Sequence, residues 1–362
     1  MKFFNVKFSN PFVALVGIAI ATAISGCVAA APSSQSFSPP AEPTATPAAN
    51  TLYVDHAGTL FVYRLPLSSA SKPVRTLTEW PGLGLPPVIA ADQFGNVAVA
   101  STTAIRFFSA PIVSLAPARA KLTLKLTPAI TEVGDSGADL VDMEYDPNEN
   151  LWLLNNLGAL ITELRSPISK SSTAAVSIGF GAPGSKTAGF TTLVQARFDV
   201  NAALYVYASS SLRSRIFKIS FPYARPPSDM GLDLAQADFI DSSQWPPTAP
   251  NAPTLLLGQY FGPLRSPTPG SPPSPPVDAA AQFAQPFNPS QGRFPSEHIS
   301  TILGALIADP YRASFYALDA SSGSLEVFGL PMQGGEKPKI TLPCLGTAGI
   351  CDEKGEHVFL AP

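Results

Sequence analysis

The sequence predicts an all-β protein, a repeated antiparallel meander that closes on itself as a β-propeller. Three observations predict it. Short runs of Val, Ile, Leu, Phe and Tyr alternate along the chain with turns of Asp, Gly, Pro, Asn and Ser, as strands joined by tight turns do. One stretch recurs near both ends of the chain at equal offsets, and an apolar run ending in aspartate returns several times between them. With 39 prolines in 362 residues and almost no helix-length amphipathic periodicity, long helices have little room.

The fullest unit runs from Ala305 to Leu342. It reads as a strand (305–308), a turn from Asp309 to Arg312, a second strand (315–318) and a turn from Asp319 to Gly323. A third strand (324–328), Leu330-Pro331, a polar loop and a last strand (339–342) complete it. One such meander cannot bury both of its faces, so it needs copies packed against it.

The copies are legible. Leu65-Pro66-Leu67 is followed at seven residues by Lys72-Pro73 and at eleven by Thr76-Leu77. Leu330-Pro331-Met332 is followed at the same distances by Lys337-Pro338 and Thr341-Leu342, and Val62-Tyr63 and Val327-Phe328 precede the two Leu-Pro pairs equally. The apolar-Asp element appears at Asp92, Asp146, Asp199, Asp309 and Asp352, each with a second apolar run after a short turn. The steps are 54, 53, 110 and 43 residues, so the long one holds a degenerate unit, with strand candidates at 237–240 and 254–257. An aspartate carboxylate accepts hydrogen bonds from backbone N–H groups just ahead of it, which makes these acids turn staples rather than catalysts. Counting the degenerate unit, six blades are expected, with five or seven as alternatives. The domain opens partway through one unit at Leu52 and closes on another incomplete one, so the N- and C-terminal strands are expected to complete a blade together and remove the exposed edges.

The stretches Asp92-Gln93-Phe94-Gly95-Asn96 and Leu52-Tyr53-Val54-Asp55 resemble the units of NHL-type propellers. The resemblance spans most of residues 51–362 and is weak between 225 and 300. It implies a propeller whose blade loops converge on two flat ends.

Outside this domain, Lys2 and Lys7 precede an apolar run from Phe12 to Ile24 that is short for a membrane span. The run ends in Ile24-Ser25-Gly26-Cys27, which resembles the lipobox of bacterial lipoproteins. The resemblance implies a signal peptide over 1–26, lipidation (diacylglycerol and palmitate-type acyl chains) at Cys27, and an exported protein facing the periplasm or cell exterior. Val28 after the cysteine favours the outer membrane where the cell has one. An ordinary secretory signal or an N-terminal anchor helix is the alternative. Residues 27–50 are Ala, Ser, Pro and Thr with few large apolar side chains, and are expected to form a flexible tether. A second Pro/Ser/Gly stretch near 262–278 is expected to be a surface excursion. Cys344 and Cys351 lie close enough in sequence to close a small disulfide loop in an oxidising compartment; a redox or metal pair is the alternative.

The chemistry is sparse. A net charge of -3 gives no electrostatic footprint for nucleic acid. Gly134-Asp135-Ser136-Gly137 has the form of a serine-protease nucleophile loop, but His56, His298 and His357 are the only histidines and none stands in a matching motif, so Ser136 is read as a loop residue. Asp135, Asp139, Asp142, Glu144, Asp146 and Glu149 form the densest acidic stretch, without EF-hand spacing, and are read as a solvated face plus one turn staple. Asn155, Asn156 and Arg197 are polar rim candidates, while Trp80, Trp152 and Trp245 are read as packing residues. No catalytic, cofactor-binding or metal-binding residue is assigned. The expectation is a monomeric, membrane-tethered binding or scaffold module with a protein or glycan partner. The rival is a lactonase- or lyase-type propeller enzyme with a metal in the central channel.

Overall fold

A computed structural model describes residues 50–361, less 57–58, 78–87, 133–137, 199–201, 212–213, 224, 235–238, 242–252, 259–280, 285–302, 310–311, 320–323, 330–336 and 344–356. The regular structure of the described residues is almost entirely strand. Its helical pieces are one 3-10 turn, Pro117–Arg119, and one four-residue helix, Pro128–Thr131, too short to cross a membrane.

The strands fall into antiparallel sheets in chain order. β1 (Thr51–His56), β2 (Thr59–Arg64) and β3 (Arg75–Leu77) form a sheet with β23 (His357–Ala361) from the far end of the chain. β4 (Val88–Ala91), β5 (Val97–Ala100), β6 (Ala104–Phe108) and β7 (Leu122–Lys125) form the next. β8 (Leu140–Tyr145) to β11 (Val176–Gly179) follow, with β9 at Leu151–Asn155 and β10 at Leu160–Leu164. β12 (Thr192–Phe198), β13 (Leu204–Ser209), β14 (Ser214–Ile219) and β15 (Ser228–Leu234) form another. β19 (Leu303–Asp309), β20 (Ser314–Asp319), β21 (Leu325–Gly329) and β22 (Ile340–Leu342) form the unit the sequence delineates best. The innermost strands neighbour one another in ring order β23, β4, β8, β12, β16, β19 and back to β23.

The expected six blades are corrected to five complete ones. Between β15 and β19 the described residues form three strands, β16 (Phe239–Asp241), β17 (Pro253–Gly258) and β18 (Ala281–Ala284), in a three-stranded sheet. Composition explains the shortfall. Pro246, Pro247, Pro250 and the prolines from Pro263 to Pro276 have no N–H to give a ladder, so this stretch cannot be written as four uninterrupted strands. The excursion near 262–278 lies outside the described residues.

The chain ends meet as the incomplete units require. Thr51 faces Ala361, Leu52 faces Leu360, Tyr53 faces Phe359, Val54 faces Val358 and Asp55 faces His357 across an antiparallel ladder. The repeat is visible in single hydrogen bonds too. At the entry to the fourth strand, Val74 N–H donates to Val62 O, Lys121 to Phe107 O, Ala175 to Glu163 O and Lys339 to Val327 O, all at 2.7–2.8 Å. The equal offsets seen in the sequence are this one register, copied.

Period-2 alternation places the core between blades. On β9, Leu151 and Leu153 pack with Val88, Ala98 and Ile105 of the preceding sheet, while Trp152 and Leu154 pack with Phe190, Phe198 and Phe217 of the following one. On β1, Leu52 and Val54 pack against Tyr316, Leu318 and Val327, while Tyr53 packs against Ile89, Val97 and Val99. Trp152 is fully buried and meets Phe198 and Tyr223 edge-on, as its reading as a packing residue expects. Trp80 and Trp245 lie outside the described residues.

Candidate functional site

The inner strands run the same way round the axis, so each blade delivers its first turn to one end of the ring. That end is built on the recurring aspartate. Asp92 Oδ1 accepts from the N–H groups of Phe94 (2.9 Å) and Asn96 (2.8 Å), and its Oδ2 accepts from Asn96 Nδ2 (2.7 Å). Asp146 repeats this with Asn148 N–H, Asn150 N–H and Asn150 Nδ2, and also accepts from Trp152 Nε1 at 3.2 Å. The asparagine then acts as a relay: Asn96 Oδ1 accepts from Ala110 N–H and Asn150 Oδ1 from Ser166 N–H, which ties the first turn to the end of the third strand. At Asp309 the fourth following residue is Ala313, and Arg312 takes over, its N–H and Nη1 both donating to the carboxylate, with Tyr316 Oη at 3.2 Å. The staple reading of these three acids holds. Asp199 and Asp352 lie outside the described residues.

Between two of these turns, Glu149 reaches across a blade boundary. It sits in the left-handed region (φ 64°) and its carboxylate accepts from the backbone and side chain of Gln93. Burial, then the Asp92 carboxylate, then Asp146, push its carboxyl up to about 7. Tyr145 is pushed above the usual phenol range by burial and by the charges of Asp92 and Glu149.

A second polar group lies on the inner strands themselves. Asp142 is 1% exposed; its Oδ1 accepts from Met143 N–H, and its Oδ2 accepts from Ala196 N–H (2.8 Å) and Arg197 Nη1 (3.0 Å). Arg197 Nη1 also lies 3.3 Å from Glu144 Oε2 and donates to Ala196 O. An arginine from β12 thus bridges two carboxylates of β8 across the boundary between neighbouring blades.

The reading of the acidic stretch as a solvated face is therefore corrected. Asp142 is buried and paired, Glu144 is half-buried and paired, and Asp146 is a staple. Asp139 alone of the described acids in it is exposed with a backbone role, its N–H donating to Asn155 Oδ1. Asn155 and Asn156 are turn-fixing groups: Asn156 Oδ1 accepts from Leu193 N–H of the next blade at 2.6 Å. The Asp142–Arg197 pair escaped sequence reading, although the signal was there. Asp142 and Glu144 alternate on one inner strand, as Gln195 and Arg197 do on the next.

Ser136, Asp135, His298, Cys27, Cys344 and Cys351 lie outside the described residues. His56 ends β1 and His357 begins β23. Among the described residues, no three His, Cys, Asp or Glu side chains are grouped as a metal site would need.

Solved structures carry the same architecture. The chain is a β-propeller. A chain of the nidogen/laminin complex aligns over 85% of this chain and 97% of its own at 12% identity, with a TM-score of 0.53. The β-propeller domain of Cps50 (Swd1) from Myceliophteria thermophila aligns over 82% of both chains at 10% identity, with a TM-score of 0.46. A 6-phosphogluconolactonase homologue from Bacteroides fragilis aligns over 84% of this chain and 81% of its own, at 10% identity and a TM-score of 0.47. No protein-family model and no curated protein matches the chain. Identities this low speak for fold alone.

The two ends of the ring differ in what they offer. At the aspartate end, Phe94 (64% exposed) stands in the β4–β5 turn, and Val74 and Val113 (each 60%) stand in the connections from third to fourth strand. These three belong to one neighbourhood: Arg75 Nη1 donates to Ile112 O at 2.7 Å across the blade boundary, and Asn96 holds Ala110. At the opposite end, Leu157 (37%) is the large apolar side chain standing out among the described residues.

Proposed function

We propose that the chain is a membrane-tethered, non-enzymatic binding propeller, anchored by lipid on Cys27 and presenting its blade loops to a protein or glycan partner outside the cytoplasm. The observation that carries this reading is the engagement of the axial acids. Asp92, Asp146 and Asp309 are saturated by their own turns, and Asp142 is held by two N–H groups and Arg197. Carboxylates committed to the fold in this way are scaffold rather than acid, base or ligand. What stays available is loop surface, which a rigid ring of blades presents in fixed positions.

Crosslinking in cells of the full chain, followed by mass spectrometry of what is captured, tests the reading, with Cys27→Ser as the mislocalised control. One dominant partner that disappears with Cys27→Ser is the expected result. Equal capture with and without Cys27, or a stoichiometric metal in the purified chain with no partner above background, overturns it.

A further inference from the structure

The described chain begins at the aspartate end of the ring. β23 is an inner strand and finishes at the aspartate end, so β1, antiparallel to it, begins there. Asn50, the residue at which the described chain begins, is pinned at that end by Leu65 N–H donating to its carbonyl at 2.9 Å. Twenty-two residues lie between it and Cys27, at most about 75 Å of extended chain and far less as a flexible coil. The chain that leads from Cys27 therefore enters the propeller at this end.

Charge agrees with that placement. Four of the connections from third to fourth strand at this end, residues 65–74, 109–121, 165–175 and 220–227, contain Lys72, Arg119, Lys121, Arg165, Lys170 and Arg225 and no acid, while the sequence between β21 and β22 carries Glu336 beside Lys337 and Lys339. All but Arg165, which pairs with Glu163, are exposed side chains outside the ion pairs of the described residues. Among the described acids of this end, Asp92, Asp146 and Asp309 are buried in their turns, Glu149 is half-buried between two of them, and the exposed Asp229 at the start of β15 lies 3.6 Å from Arg215 Nη1. At the opposite end the connection from β7 to β8 carries the exposed acids Glu132 and Asp139, and the one from β11 to β12 the exposed Lys186. In a chain of net charge -3, one end is thus locally basic and studded with Val74, Phe94 and Val113.

The geometry points to the aspartate end as a docking surface for an anionic bilayer, with the exposed lysines and arginines over lipid headgroups and the three apolar side chains at the headgroup boundary. This rests on the tether reading. Each basic side chain close to an anionic surface adds a weak attraction, which becomes effective because the tether keeps the local concentration high. The opposite end, with Leu157 and the Asn156 turn, is then left facing outward for the partner.

The test uses the lipidated full chain in vesicles of phosphatidylcholine with or without phosphatidylglycerol, with a photoreactive residue at Val113 or, separately, at Leu157. The expected result is lipid adducts at 113 exceeding those at 157 by about fivefold or more, only with phosphatidylglycerol present. A triple exchange, Lys72→Glu, Lys121→Glu and Lys170→Glu, then lowers the adducts at 113 about tenfold while the chain still floats with the vesicles. Equal adducts at 113 and 157, or adducts indifferent to phosphatidylglycerol, overturn the docking surface and leave the tether standing. A wild-type chain that does not float with the vesicles overturns both.

Discussion

Deleting Val358–Pro362 abolishes the cooperative thermal transition of the domain. These residues are nearly the whole of β23, the innermost strand of the sheet that contains the chain start, and they supply the partner for β1 from Thr51 to Val54. Leu52, Val54 and Asp55 are fully buried, so removing β23 uncovers an apolar ladder and an aspartate together. β23 also stands between β19 and β4, so its loss opens the ring itself and leaves sheet edges at the break. Circular dichroism against temperature reads the outcome directly. A truncated chain that keeps a sharp melt within a few degrees of the full one contradicts closure by the two termini.

Replacing Asp142 by alanine costs about 3–5 kcal/mol of folding stability, because it takes from the buried Arg197 guanidinium the more deeply buried of the two carboxylates it pairs with. The same exchange strands Ala196 N–H, which gives 2.8 Å to the carboxylate. Against the 5–15 kcal/mol that hold a typical domain, that is a large fraction. Removing both charges, as Asp142→Leu with Arg197→Met, costs clearly less than the two single changes summed, since no charge is then orphaned. Denaturant unfolding of the four proteins gives the comparison. A single Asp142→Ala that costs under about 1 kcal/mol would mean the pair is screened by water in the channel.

How much of this was legible depends on how local each signal is. The Asp-x-x-x-Asn turn is a five-residue device, and Asp92 with Asn96 and Asp146 with Asn150 announce it in the chain itself. The meander from Ala305 to Leu342 was readable strand by strand for the same reason. Closure by β1 and β23 was readable only as two incomplete units, because the pairing joins residues some 300 positions apart. The blade count failed where proline removed the local signal: residues between Asp199 and Asp309 neither alternate nor punctuate regularly. The Asp142–Arg197 pair failed differently. An acidic residue in a cluster reads as solvated until the neighbouring inner strand is known, and that neighbour is 55 residues away.

Function was less legible than fold because a propeller uses its acids twice over. Asp146 looks like a ligand or base in the sequence, and in the fold it holds two backbone N–H groups, an asparagine and an indole. The basic connections were hidden for the opposite reason. Lys72, Lys121 and Lys170 are dispersed singly along 99 residues and gather at one end only when the blades close.

The most direct measurement is the mass of the N-terminal peptide of the protein recovered from the membrane fraction of its cells. Tethering predicts a peptide that begins at Cys27 and carries a diacylglycerol thioether, and a Cys27→Ser chain that no longer fractionates with membranes. A peptide with an unmodified Cys27, or one that begins upstream of it while the Cys27→Ser chain stays in the membrane, contradicts the account.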